Sequence, residues 1–303
     1  MKHILVTGLH RSGTTWLGRT LAYAPHTGYV HEPFNITLPA PYVHKPFDHW
    51  FQYVDVDNES RYRLIFDPVL HHEYPTLRNL AKAKRVSHVA RVLRRKADTY
   101  FHRLTSSRLV IKDPIAFFST DWLHKTYDLK VVTTLRHPAA FCASLKVQGW
   151  RFNFKNFTDQ PVLMERYLQP FADEIHGHIQ QEFDVIEQGI LLWKCFYYTL
   201  KLLENDISSL VLVRHEDLSL NPVQRFERLY AQLDLDFTPS VRSKIEATTG
   251  AHNPVEPSLR DEFRRDSLRN ILNWKVRLTA AEIERVYRAT WEFAQERYPL
   301  SDW

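Results

Sequence analysis

The sequence predicts an α/β fold: a three-layer sandwich with helices on both sides of a central parallel β-sheet. Two observations carry this. Short apolar runs rich in β-branched residues recur at Ile4–Val6, Arg108–Ile111, Leu129–Leu135 and Leu210–Arg214, separated by stretches with helical apolar spacing. Residues 4–22, ILVTGLHRSGTTWLGRTLA, read as a strand, a tight glycine turn and a helix start in immediate succession.

That opening stretch is the most informative part of the chain. Its turn, Gly8 to Gly13, feeds a helix marked by Trp16-Leu17 and Leu21-Ala22. Backbone N–H groups therefore gather at a helix N-terminus, a geometry that binds phosphate-like anions. The spelling Gly8-x-x-x-x-Gly13-Thr14-Thr15 is nearly the nucleotide P-loop. Thr14 stands where that loop has its lysine, and the cation moves inside the loop as Arg11. The ligand is therefore expected to be something other than the β/γ-phosphate of a Mg-nucleotide. The alternative is a strand-turn-helix with no ligand.

Composition bounds the rest. The 303 residues, 44 % apolar and 25 % charged, are those of an ordinary globular protein, read as one domain over 1–303 because no repeat, linker or low-complexity stretch interrupts them. A net charge of +5 suits anionic ligands, but it is mild for a nucleic-acid binder and no basic tail is present, so no nucleic-acid partner is expected. Cys142 and Cys195, the only cysteines, sit in apolar helical contexts and read as reduced core thiols. No apolar run approaches a membrane span, and the N-terminus lacks a signal-peptide pattern, so the expected location is cytoplasmic.

Further along, Gly28-Tyr29-Val30 is strand-like and runs to Glu32-Pro33, where the proline ends it. Glu32 then either faces the ligand of the first loop or is a surface glutamate. Residues 36–75 read as an irregular excursion. Their histidines His49, His71 and His72 lack metal-ligand spacing and read as solvated or packing residues. Residues 76–105 read as helical, with an apolar stripe (Leu77, Leu80, Val86, Val89, Val92, Leu93) opposite a basic face (Lys82, Lys84, Arg85, Arg91, Arg94, Arg95, Lys96). That basic face is either simply solvated or a landing surface for an acidic glycan or lipid head group. Lys112 ends the next strand and projects into the crevice where open sheets bind ligands. Arg136 ends the clearest strand, and Ser144 lies about two helical turns beyond it, placed so that both reach one anion. Gly149–Phe157 is either an aromatic stacking surface or a packed loop, and Ile190–Leu203 is apolar all round and so buried. Thr279 and Glu282 form a capping-box signature for a closing helix.

Taken together, these residues resemble the sulfotransferases that use 3′-phosphoadenosine 5′-phosphosulfate (PAPS). Arg11-Ser12-Gly13-Thr14-Thr15-Trp16-Leu17 is similar to their 5′-phosphosulfate loop. Arg136 and Ser144, with seven residues between, resemble their 3′-phosphate pattern. Val213–Leu218 resembles the family's Arg-Tyr-Glu-Asp-Leu block, with His215 for the tyrosine, and Leu229–Phe237 its following helix. The resemblance implies the P-loop nucleotide-hydrolase-like fold and sulfuryl transfer to a hydroxyl of a carbohydrate, glycolipid or small molecule, with no metal. It further implies Glu32 as general base, Arg11 and Lys112 as stabilising cations, and Ser12, Gly13, Thr14, Thr15, Trp16, Arg136 and Ser144 as donor-binding residues. Arg265, Ser267 and Arg269 are candidates for its C-terminal nucleotide loop, Arg269 ranked first. The cytosolic branch has a histidine two residues after the lysine. Pro114 stands there instead, which favours the carbohydrate and bacterial branches and Glu32. Residues 36–75 and 146–185 are expected to shape acceptor choice. A P-loop kinase and a non-catalytic binder of PAPS or its product PAP remain alternatives.

Overall fold

The computed structural model describes residues 2–37, 47–71, 73, 76–81, 85–250, 253–254 and 266–303. Strand β1 (Ile4–Gly8) and helix α1 (Thr14–Leu21) are followed by β2 (Thr27–His31), then α2 (Glu59–Leu70), α3 (Thr76–Ala81) and α4 (Val86–Thr105). Strand β3 (Arg108–Lys112) leads through α5 (Thr120–Tyr127) to β4 (Lys130–Leu135) and α6 (Pro138–Gln148). Short turns α7 (Lys155–Thr158) and α8 (Pro161–Leu163), then α9 (Ala172–Gln180) and α10 (Val185–Asp206), precede β5 (Val211–Arg214). The chain ends through α11 (His215–Leu220), α12 (Pro222–Gln232), α13 (Pro239–Thr249), α14 (Ser267–Asn270), α15 (Trp274–Arg277) and α16 (Ala280–Ala294).

The five strands form a parallel sheet in the order β2-β3-β1-β4-β5. Side chains alternate across it, as the period of two requires. Leu5, Leu109 and Ile111 enter one apolar layer together with Phe141, Leu192 and Phe196 from α6 and α10. Ile4, Val6, Val110 and Val132 enter the other, against Leu17 and Leu21 of α1 and Phe226 and Tyr230 of α12. Helices thus cover both faces, and the predicted three-layer α/β class holds. All strands share one direction, so every strand's carboxyl end opens on the same edge, where crevice ligands bind.

Several local expectations hold with their physical reasons. The α10 segment from Ile190 to Leu203 is buried along most of its circumference, and Cys142 and Cys195 are free, buried thiols. Thr279 and Glu282 form the reciprocal capping box: Glu282 N–H donates to Thr279 Oγ1 (3.2 Å) and Thr279 N–H to Glu282 Oε2 (2.7 Å). Phe152, Phe154 and Phe157 are buried, so the aromatic stretch after Gly149 is largely a packed loop.

Three expectations are corrected. Residues 36–75 are not wholly irregular, because α2 places Tyr62, Ile65, Phe66 and Val69 on one buried face, and its proline, Pro68, comes late enough to leave the first turns intact. Residues 38–46, with the Pro39–Tyr42 cluster, and His72 lie outside the described residues. Strand β5, whose apolar run Leu210–Arg214 reads as a buried strand, is only half-buried, since it is a sheet edge with one neighbour. The stretch 76–105 forms α3 and α4 instead of one helix, and much of its apolar stripe is not buried: Leu77, Val86 and Leu93 are exposed, while Leu80 and Val92 are half-buried. Lys82 and Lys84 lie outside the described residues, as do the side chains of Arg91 and Arg95.

The turn after β1 depends on backbone that only glycine adopts readily. Gly8 has φ +127°, and a Cβ there would collide with the carbonyl oxygen of Thr134 on β4. Gly8→Ala is expected to lower unfolding free energy by about 2–3 kcal/mol. Gly177→Ala, within α9 and facing open space, is expected to raise it by about 0.5–1 kcal/mol. Urea denaturation of the two variants beside the parent checks both signs.

Candidate active site

A cleft of about 230 Å³ opens at the carboxyl edge of the sheet. One wall is the turn from His10 to Trp16. Helix α1 begins at Thr14, so the amides of its first turn have no partner within the helix. Gly13 caps it at φ +90°, and a Cβ there would collide with Nδ1 of His215 from α11. Gly13, Thr14, Thr15 and Trp16 all line the cleft. Ser12 does not. Its hydroxyl donates to the Leu9 carbonyl and lies 2.6 Å from Thr134 Oγ1, and its N–H donates to Leu9 (3.1 Å). Ser12 therefore ties the turn to β4.

Arg11 lines the cleft at φ +63°, a region that side chains other than glycine rarely adopt. Its Nε donates to Ser144 Oγ on α6 (3.1 Å), and Arg136, at the end of β4, donates from Nη1 to the Arg11 carbonyl (2.8 Å). The three residues named from two separate sequence patterns thus form one cluster. Desolvation, and then the charge of Arg277, hold the Arg11 pKa below its ordinary value. Trp193 remains in the core but donates from Nε1 to the Arg136 carbonyl (2.9 Å), which fixes that strand end.

The opposite wall carries Glu32 and Lys112. β2 and β3 are neighbours, so their carboxyl ends meet. Glu32 N–H donates to the Lys112 carbonyl (2.8 Å), and Lys112 Nζ is paired with Glu32 Oε1. The second carboxylate oxygen accepts from Asn35 Nδ2 (2.7 Å). Asp113, beside Lys112, accepts from Phe34 N–H (2.6 Å) and so clamps the segment after Glu32 against β3. Burial acts to raise the Glu32 pKa, but the Lys112 charge and the two side-chain hydrogen bonds outweigh it and hold the carboxyl below its ordinary value. Glu32 is therefore an ionised acceptor facing the cleft, at φ +46°.

Arg269 lies apart from this cleft. Its side chain is 75 % exposed and pairs with Asp266 (3.4 Å). Ser267 does line the cleft, together with Asn270, and donates to the carbonyls of Ser219 and Thr249. Arg265 lies outside the described residues. Glu216 braces the crevice from behind, accepting from His137 N–H (3.0 Å) and Tyr298 Oη (3.1 Å). The lining also includes residues that the sequence did not mark as site residues, among them His215, His10, Ser219, Thr248, Thr249 and Asn270. His215 presses on Gly13 and stands edge-on to Trp16. His10 is walled by Phe51, Phe141 and Trp150, and burial pushes its imidazole down to about 3, so it is neutral. Its position one residue before Arg11 was the available signal. Among the described residues, no group of three or more His, Cys, Asp or Glu is placed to hold a metal ion.

Residues 3–239 match the profile of the sulfotransferase family. The chain belongs to that family. Solved structures similar to this sulfotransferase include the sulfotransferase domain from the curacin biosynthetic pathway (15 % identity, TM-score 0.44, covering 95 % of this chain and 97 % of that one). Mouse sulfotransferase SULT7A1 complexed with PAP is another (13 %, 0.46, 99 % and 87 %). A third is sulfotransferase STF9 from Mycobacterium avium (14 %, 0.44, 97 % and 76 %). No curated protein matches the sequence.

The Glu32–Lys112 pair generates a stability prediction. Lys112 is 1 % exposed and Glu32 18 %, so removing the carboxylate strands a buried ammonium. Glu32→Ala is expected to cost about 3 kcal/mol at neutral pH, and Glu32→Ala/Lys112→Met to recover most of it, both read by urea denaturation. The folded-state pKa of Glu32 lies below 4.5, so its contribution is present above pH 4.5 and disappears as pH falls through that lower value.

Proposed function

We propose that this sulfotransferase moves the sulfuryl group of PAPS to a hydroxyl group of its acceptor. The observation that carries the reading is that one cleft joins a cationic helix N-terminus to an ionised carboxylate backed by a buried lysine. The first-turn amides from Gly13 to Trp16 hold the 5′-phosphosulfate. Arg136 and Ser144 take the 3′-phosphate, and Arg11, bonded to Ser144 in this structure, lies between the two anions. The hydrogen-bonding edge formed by Ser267 and Asn270 replaces Arg269 as the C-terminal contact.

In the transfer, the acceptor oxygen forms a bond to sulfur while its proton passes to a Glu32 oxygen. The bond from sulfur to the bridging phosphate oxygen breaks, and its electron pair stays on the departing 5′-phosphate. Charge grows on that oxygen, where the loop amides and Arg11 stabilise it. Arg11 remains protonated and acts as a fixed charge. Lys112 turns to the sulfuryl oxygens. Without that counter-charge, burial dominates at Glu32 and makes it a stronger base.

The acceptor enters beside His10, where Phe51 from one predicted excursion (36–75) and Trp150 from the other (146–185) pack on the same imidazole. Trp150, only partly buried there, offers a ring that suits a sugar, the sugar of a glycolipid, or a small ring-bearing alcohol.

Radiolabelled sulfate transfer from PAPS, measured beside phosphate transfer from ATP over a panel of hydroxyl acceptors, is expected to show only the former. With a competent acceptor, Glu32→Gln is expected to lower turnover about 10²–10⁴-fold while PAP binding by calorimetry is retained. Near-parental turnover of that variant would remove Glu32 as the base, and label moving only from ATP would remove the sulfotransferase reading of the cleft.

A further inference from the structure

Helix α4 is a 20-residue element, about 30 Å long, whose apolar side faces outward. Val86, Val89, Leu93, Ala97, Tyr100 and Leu104 recur at intervals of three and four, which gathers them in an arc of about 80°. All six are exposed: Val86 is 86 % exposed, Leu93 52 %, Tyr100 62 % and Leu104 68 %. Among its described side chains, the half-buried ones, His88 and Val92, lie on the other side. A folded chain does not leave so long an apolar stripe in water without a use for it.

Charge narrows what covers the stripe. Residues 85–105 hold six lysines and arginines against a single acid, Asp98, a net +5 that equals the charge of all 303 residues. Exposed Arg85 and Lys96 border the stripe along one edge, and exposed Arg94 lies along the other. A second copy of the same helix would oppose cation to cation at the flanks, where paired helices need opposite charges. A soluble polyanion would use the cations and leave the apolar stripe wet. An anionic bilayer satisfies both, because apolar side chains enter the acyl boundary while lysine and arginine stay among the head groups.

We infer that α4 docks this protein peripherally on membranes containing anionic lipid, with Val86, Val89, Leu93, Tyr100 and Leu104 inserted and the flanking cations at the head-group level. The helix lies in the interfacial plane and does not span: among the described residues, no helix is long and apolar enough to cross a membrane. The inference is independent of the chemistry assigned to the cleft.

Co-sedimentation of the full chain with phosphatidylcholine vesicles carrying about a third phosphatidylserine tests it. Binding is expected to be at least tenfold tighter than to pure phosphatidylcholine and to weaken as salt is raised. Leu93→Glu/Leu104→Glu is expected to lose about tenfold or more in vesicle affinity. Arg85→Ser/Lys96→Ser is expected to lose about fivefold per charge. All four side chains are exposed, so thermal unfolding should match the parent and exclude misfolding as the cause. Equal binding to both vesicle types, or an acidic double variant that binds like the parent, overturns the inference. A concentration-dependent dimer in sedimentation velocity that Leu93→Glu dissolves, with no vesicle binding, gives the stripe to a second copy instead.

Discussion

Everything at the carboxyl edge of this sheet hangs on how the chain leaves its central strand. β1 lies between β3 and β4, so the turn after Gly8 has no free side on which to relax. Thr134 of β4 crowds Gly8 and His215 of α11 crowds Gly13, so side chains are excluded at both points. The Ser12 hydroxyl, held between Leu9 and Thr134, closes the turn from within. Backbone is therefore pressed into the cleft, and the amides that open α1 present themselves to an anion without reorganisation. Arg11, within the same tight turn, occupies a left-handed conformation.

The second constraint is electrostatic. Lys112 ends a strand flanked on both sides, which leaves its ammonium almost without water. Such a charge persists only beside an opposite one, and the neighbouring strand delivers Glu32 to it. The cost of that burial is offset by the pairing, and the lysine in turn helps hold the Glu32 carboxyl below its ordinary pKa. Arg11 and Ser144 show a parallel economy at the other wall, where a cation and a hydroxyl satisfy one another in the absence of ligand.

How far such features could be read in advance depends on their range along the chain. The strand-loop-helix of residues 4–22, Pro138 at the start of α6, the interval from Arg136 to Ser144 and the Thr279–Glu282 box are all set by neighbours within two helical turns. Their propensities and spacings operate before any tertiary contact exists. Helix α4 marks the limit even of strong periodicity. An apolar stripe states that a face leaves water, and the sequence pattern is the same whether a core or a bilayer receives it.

The amino-acid sequence by itself thus determined the α/β class, the strand-turn-helix of residues 4–22 and several of the residues around it, because each follows from local geometry. Only the tertiary structure decided how those residues are used. It joined Glu32 to Lys112 across 80 residues and Arg11 to Ser144 across 133, set His215 against Gly13, brought His10 into an aromatic wall, and turned Arg269 away. The reason is the order of the strands. Which chain ends meet at the carboxyl edge follows from how five strands pack into one sheet, and no single stretch of sequence carries that order.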